Sequence, residues 1–496
     1  MKHSAAEACL NIFESALLLL IMTGTVRANQ FAGTATKYGQ EQCIALNRFS
    51  PALGAQYRLS DANKEAKLCG VDFNNKGIGL CPKTWSTSPG TIVYDISRSK
   101  YNGRPEAFEA EYCPRQRALK SKVEGVERLA SYKQSINGQF NQRTSATFSQ
   151  ASPLYYHFSR YLNATVDVPV AVMRTMDVQE HNHRVTAKGL TLARGGMILN
   201  GWKVVNSAEK HPSGYVPVNE FYYGDPKDEL LYGTMLKGPG ARYGAEFNGD
   251  IVGKGYSAQY LFMQQTPAFL ALANPKDFAD AAEAGLSESK KNTTVARALG
   301  ANVSKEQMMV WMKEASEIYI LDYIFSQQDR PGNIDYVWEW YYVDNQGQVK
   351  SIRVDSEVGR NAMGSIPVSD EAKGSSKAVL VQKTQINDND AGGRRYANFT
   401  KKFSLLEKIH HLNPVTYRQL LHLANDFKAK GPLYNYLHET FYLSGGNTDL
   451  IAQNTIQTAQ ILENTCKAGT MKFDLDPEAY LLTQKANERE VDCMSP

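Results

Sequence analysis

Asp329, Asn333 and Asp355 are the residues of this chain whose types and spacing point most directly to chemistry. Two carboxylates and an amide converging on one point form a hard oxygen ligand set of the kind that carries Mg²⁺ or Mn²⁺ with phosphate groups. Phosphoryl transfer asks for these parts: one carboxylate to orient the attacking hydroxyl, and a second with an amide to hold the metal that neutralises the phosphates. Asp335, two residues beyond Asn333, offers a further carboxylate.

The element that must position them is a hairpin. Asp329-Arg330-Pro331-Gly332-Asn333 is a polar turn, and the run after it alternates, with Trp338, Trp340 and Tyr342 on one face. Asp344-Asn345-Gln346-Gly347 reverses the chain, which returns through Ile352 and Val354 to Asp355. A ribbon of period two keeps its open ends close, so residues far apart in sequence meet there. Upstream, Ser304 and Gln307 form a capping box for a helix whose apolar face is Met308, Trp311, Met312, Ala315, Ile318 and Tyr319. That helix ends near Phe325 and delivers the chain to the Asp329 turn. The same turns are also good surface chemistry, so the hairpin by itself equally describes an ordinary polar-ended ribbon.

Lys133 lies inside the strand-like segment from Val126 to Ile136. A lysine there is costly unless its ammonium meets an anion, which makes it a candidate for holding nucleotide phosphates; on an exposed face it is an ordinary snorkelling lysine. Thr91 to Ile96 and Ala107 to Tyr112 have strand composition, and Glu229 to Gly240 reads as a hinge. Glu180-His181-Asn182-His183 reads as surface loop and not as a metal site. Residues 363 to 397, rich in Gly, Ser, Asn, Asp and Lys, read as a mobile loop.

At Asp329-Arg330, at Asn333, at His157-Phe-Ser-Arg160 with Val168-Pro-Val, and at Asp355, the chain resembles the Golgi casein kinase family of the secretory pathway. HipA-like and phosphatidylinositol 4-kinases are more distant relatives by the same motifs. The resemblance implies an α+β, two-lobed protein-kinase-like fold: a mainly β N-lobe with a disulfide-pinned N-terminal extension, and a mainly α C-lobe. It implies ATP with Mg²⁺ or Mn²⁺ as cofactors and a protein or glycan hydroxyl as acceptor. By it Asp329 is the catalytic aspartate, Arg330 braces its loop, Lys133 holds phosphate, and Asn333, or Asp335 in its place, binds metal together with Asp355. The sequence departs from the pattern in three ways. Asn333 stands one residue closer to Asp329 than expected, Ser356-Glu357 replaces the usual Asn-Gly after the second aspartate, and the glutamate that should pair with Lys133 is absent, leaving only Gln150. A glutamine accepts a hydrogen bond but cannot neutralise a lysine.

The 496 residues, 42% hydrophobic and 10% aromatic, have the composition of a globular protein, and 55 basic against 51 acidic residues leave no case for nucleic acid. Residues 1 to 28, with the apolar run from Ala16 to Met22 before Val26-Arg27-Ala28, read as a signal peptide too short to give a stable membrane span. Its removal takes Cys9 and leaves Cys43, Cys69, Cys81, Cys113, Cys466 and Cys493, an even set that favours disulfides in a secreted, periplasmic or lumenal compartment. The expected organisation is a Cys-rich extension over 29–115, an N-lobe over 116–235, a C-lobe over 236–465 and a tail over 466–496. The preferred reading is a phosphotransferase moving the ATP γ-phosphate to a hydroxyl. The alternatives are a catalytically silent adaptor of the same fold, or a disulfide-stabilised module that binds no nucleotide.

Overall fold

Short runs rich in β-branched and aromatic residues supply the strands of this chain, and longer runs of period 3.6 its helices. The computed structural model describes residues 29–36, 39–45, 55–115, 123–136, 144–215, 218–224, 229–238, 240–249, 254–300, 303–375, 377–439, 441 and 443–495. The leader expected over residues 1 to 28 lies outside them.

Seven strands among the described residues are β1 (Asn29–Thr36), β2 (Gly39–Ala45), β3 (Ile78–Pro82), β4 (Thr91–Asp95), β5 (Glu127–Gln134), β6 (Ala171–Asp177) and β7 (Leu230–Leu236). They form one antiparallel sheet in the order β1-β2-β6-β7-β5-β4-β3. A second antiparallel sheet is built on β8 (Ala241–Arg242), β9 (Ile334–Val343), β10 (Val349–Val354) and β11 (Ala378–Ile386). β11 follows one edge of β9 from Tyr342 back to Ile334, while β10 covers Val343 to Trp338 of the strand and β8 covers Tyr336 and Asp335.

The helices that matter for the site are α1 (Leu59–Cys69), α2 (Pro105–Tyr112), α3 (Ala151–Tyr161), α4 (Tyr256–Met263) and α5 (Lys305–Ile324). α6 (Pro414–Lys428) and α7 (Gly445–Lys467) pack together further along the chain. α5 starts where the capping box places it, the Ser304 hydroxyl accepting from the Gln307 N–H at 3.1 Å. It is buried on all sides from Gln307 to Ile324, beyond the single apolar face expected. Its polar side meets β11: Thr384 N–H donates to Glu314 at 2.8 Å, Gln382 N–H donates to Gln307 at 2.8 Å, and the Lys383 ammonium lies 3.4 Å from Glu314.

That contact corrects the reading of residues 363 to 397 as one loop. The polar residues Gln382, Lys383, Thr384 and Gln385 are buried, and each finds a partner on α5 or a neighbouring element, so a strand is concealed under loop-like composition. The strand expected at Ala107 to Tyr112 is helix α2, with Pro105 in its first turn and Phe108 stacked on Tyr112 one turn later, ring centroids 4.8 Å apart. The surface loop expected around His181 is helical, and His181 is fully buried. Its Nδ1 lies 2.6 Å from Glu209, and its Nε2 lies 2.9 Å from both Thr91 and Gln134.

Three disulfides join Cys43 to Cys69, Cys81 to Cys113 and Cys466 to Cys493. Each closes a stretch of 26 to 32 residues, which in the chain-entropy picture stabilises by about 3–4 kcal/mol. Two pin the N-terminal region to the large sheet and one fixes the tail. Among the described residues no helix is long and apolar enough to cross a membrane.

Candidate active site

Lys133 is the penultimate residue of β5 and only 6% exposed. Its ammonium lies 3.0 Å from an oxygen of Asp388 and 3.1 Å from one of Asp390, two carboxylates that follow β11. The ladder explains how they arrive. β11 keeps register with β9 to its last pair, Ile386 against Ile334, so the residues after it lie beside the turn that carries Asp329 and Asn333. Asn387 N–H donates to the Asn333 carbonyl at 3.1 Å, and the Asn387 side chain donates to Asp335 at 2.6 Å. Asp388 then takes a left-handed backbone (φ 48°), a conformation aspartate tolerates better than most residues and one that is typical of functional turns.

Arg330 locks this loop to the end of α5. Its guanidinium makes a bidentate pair with Asp322 at 2.9 Å on each arm, and donates to the Asn387 carbonyl at 2.8 Å and the Asn389 side chain at 2.9 Å. Arg330 and Asp322 are both almost wholly buried. Tyr155 of α3 donates to Asp322 at 2.8 Å, which ties the helix beside the large sheet into the same knot.

The cleft above these residues is lined by Lys83, Arg128, Ser131, Lys133, Leu236, Gly238, Arg242, Asp335 and Asp388 among others. Among the described residues four cations and two carboxylates surround this one opening, a charge arrangement that suits a polyanion carrying a divalent cation. Burial works against the charge on Lys133, but Asp390 and Asp388 outweigh it and hold the ammonium above its ordinary value. Lys133 in turn holds Asp388 well below the usual carboxylate range. Burial and the nearby Lys133 push Lys83 down to about 8. Burial, then repulsion from Asp388, push the Asp329 carboxyl up to about 7. Burial also raises Asp335 against the pull of Arg242.

The structure therefore brings Lys133 and Asp335 to the cleft lining, sets Asp329 and Asn333 in the turn beside it with Arg330 buried beneath, and leaves two expected residues apart. Asp355 lies exposed just beyond β10, whose last pair is Val354 with Trp338, four residues into β9. The hairpin partner that reaches the site is β11 and not β10. Gln150 is buried ahead of α3 and accepts from Ser135 at 2.9 Å and Ser149 at 3.1 Å; the carboxylates on Lys133 come from the other sheet. Sequence reasoning missed Asp388, Asp390, Lys83, Arg128 and Arg242. The available signal for the first two was Asp388-Asn389, an aspartate followed by the asparagine sought after Asp355.

Among the described residues no three His, Cys, Asp or Glu side chains form a ready-made metal cage. That suits Mg²⁺, which is usually held by one or two carboxylates and completed by water and phosphate oxygens. Asp390 Oδ2 is buried without a hydrogen-bond partner, and Asp388 is partly open to the cleft, so the donor set accepts such an ion. A larger cavity of 740 Å³ lies between α1 and the starts of β3, β5 and β6, but none of the Lys133 constellation lines it.

The ligand-free protein should lose stability as pH rises from about 4 to about 7 through Asp329, because the unfolded carboxyl releases its proton near its ordinary 3.8 while the folded one keeps it to about 7. Glu41 and Glu314, also pushed up to about 7 by burial, act with the same sign. His157, held well below its ordinary 6.5 by burial, acts in the opposite sense below about 6.5, so the test is the difference between the two proteins: in urea melts Asp329→Asn should lose less stability than the wild type as pH rises across this range. An identical slope in the variant would place the Asp329 carboxyl at its ordinary value.

No known protein family and no curated protein matches the chain.

Proposed function

We propose that the protein is a kinase-like phosphotransferase of the secretory pathway, the periplasm or the extracellular space, which moves the γ-phosphate of ATP to a hydroxyl of a protein or glycan. The observation that carries this reading is the buried Lys133 bound by Asp388 and Asp390 beside Asp329. A strand lysine, a turn aspartate at the end of a long buried helix, and an Asp-Asn loop after the following strands are the parts the resemblance calls for, in the order it calls for them. In this reading the large sheet is the N-lobe and α5 with the helices after it is the C-lobe. The three disulfides agree with an oxidising compartment.

Each side chain has a task. Lys133, Lys83 and Arg128 would hold the nucleotide's phosphates, and Ser131, Leu236 and Gly238 would face its base and sugar. Asp388 and Asp390 would hold Mg²⁺ or Mn²⁺, which supplies neutralisation of the phosphate charge. Asp329 orients the acceptor hydroxyl and takes its proton. A carboxyl poised near neutrality accepts a proton more readily than one at its ordinary value. Arg330 and Asp322 keep the loop in place.

A catalytically silent nucleotide-binding adaptor is the second reading, and it is favoured by the glutamine in place of an acid before α3. The two readings part on transfer, since both bind nucleotide.

A thermal-shift titration with ATP and Mn²⁺ tests the site. A ligand that binds only the folded state at a hundred times its Kd adds roughly 2.7 kcal/mol. The wild-type chain should show a metal-dependent rise in Tm, Asp388→Ala should lose it, and Asp355→Ala should keep it. No rise in the wild type overturns the nucleotide site; a rise lost with Asp355→Ala and kept with Asp388→Ala returns the site to the first hairpin.

A further inference from the structure

Among the described residues Arg242 is the one cation of the cleft that lies on the second sheet, and its contacts fall on two residues that the resemblance assigns to metal. Its Nε lies 2.7 Å from Asp335 Oδ1, and its Nη1 donates to Asn333 Oδ1 at 3.0 Å. The placement is built into the backbone. β8 pairs with β9 so that Arg242 stands directly across from Asp335, and two residues earlier Gly240 makes the approach possible. A Cβ at Gly240 would meet the Asp335 Cβ at 2.8 Å and the Gln385 Oε1 at 3.0 Å, so a residue with a side chain would push β8 off the strand. Asn333 is fixed from the other side by its own amide, which donates to the Asp329 carbonyl at 2.7 Å.

We propose that Arg242 is a resident counter-cation: its guanidinium fills the place between Asn333 and Asp335 where a second metal ion would sit, so the site handles nucleotide with a single divalent ion, at Asp388 and Asp390. This rests on the phosphotransferase reading above. The chemistry suits the role. A guanidinium stays protonated at any physiological pH, and its N–H groups leave different edges of one plane, so it can stand between a carboxylate and an amide oxygen. A divalent ion entering between Asn333 and Asp335 has to displace both contacts, the ion pair with Asp335 and the hydrogen bond to Asn333. Arg242 remains nearly half exposed, which leaves N–H groups facing the cleft for a phosphate oxygen. Asn333 and Asp335 then act as positioning residues for Arg242, and Asp388 with Asp390 as the metal carboxylates.

The test counts Mn²⁺ bound to the full mature chain by electron paramagnetic resonance, in saturating non-hydrolysable ATP analogue. The wild type should bind one ion per chain. Arg242→Gln, which removes the charge and frees both oxygens, should bind two; Arg242→Lys, which keeps the charge, should remain at one. Arg242→Gln combined with Asp335→Asn should return to one, because the second ion has lost its carboxylate. Because Arg242 is a partly exposed side chain on a two-residue strand, these variants should melt within a few degrees of the wild type. Two ions in the wild type, or one in Arg242→Gln, overturns the proposal while leaving the nucleotide site standing. No bound ion in any of the four proteins overturns both.

Discussion

Asp329→Asn should leave ATP binding close to wild type and lower phosphoryl transfer by roughly 10²–10⁴-fold, the usual contribution of a positioned acid-base group. The side chain lies beside Asp388 and Asp390 and outside the residues that line the cleft. Its removal as a base therefore costs the reaction and spares the nucleotide. Asparagine keeps the shape and relieves the repulsion among Asp329, Asp388 and Asp390, so the variant should melt no lower than the parent. The measurement is single-turnover transfer to an acceptor found by screening, with binding followed separately by thermal shift. Transfer that survives in Asp329→Asn would move the base elsewhere in the cleft, and binding lost with transfer would make Asp329 a nucleotide ligand. Where the wild type binds ATP but no acceptor is ever phosphorylated, the adaptor reading gains.

Asp322→Ala should cost about 3–5 kcal/mol of stability, because it strands a buried guanidinium without its counter-ion. Arg330 is fully buried, pairs through both arms with Asp322, and lies over the Tyr155 ring at 5.5 Å. The damage should reach the site as well, since Arg330 also holds Asn387 and Asn389 on either side of Asp388. Urea denaturation at neutral pH measures the first effect, and the ATP-induced Tm rise the second. Asp322→Leu combined with Arg330→Met, which removes both charges, should recover much of the stability but not the nucleotide binding. A loss below about 1 kcal/mol in Asp322→Ala would mean that solvent reaches Arg330 and that the knot is not buried in solution.

Which parts of this arrangement can be read from sequence follows from how far each signal reaches. The capped helix α5, the Asp329 turn and the β9–β10 hairpin rest on local patterns, namely capping chemistry, apolar spacing and Gly-Asn turn residues, and each stands where those patterns place it. Lys133 is legible because an apolar strand around a lysine is a local anomaly. β11 is harder to read, because after the short apolar run Ala378 to Val381 its buried positions Gln382, Lys383, Thr384 and Gln385 are polar and look like loop until Gln307 and Glu314 of α5 are set against them. The partners of Lys133 are hidden for the same reason at longer range: Asp388 is 255 residues away and lies in a polar tract with no period. The first hairpin, with its aromatic alternation, is the louder signal, and it draws attention to Asp355 at the wrong strand end.

The ladder between β9 and β11 has a consequence for how this chain tolerates change. The backbone leaves β9 at Val343 and comes back at Lys377, and Val343 N–H donates to the Lys377 carbonyl at 3.2 Å, so departure and return share one point in space. Everything between them is an excursion from a rung that is already closed. Insertions at the exposed Asn345-Gln346-Gly347 turn can lengthen it without altering the register that carries Asp388 to Lys133, whereas β10, paired along β9, and the buried Arg360, which donates to Gln382 and Gln307, belong to the frame that holds that register. The core around Lys133 can thus keep its geometry while the turn it extrudes is free to take on new surfaces.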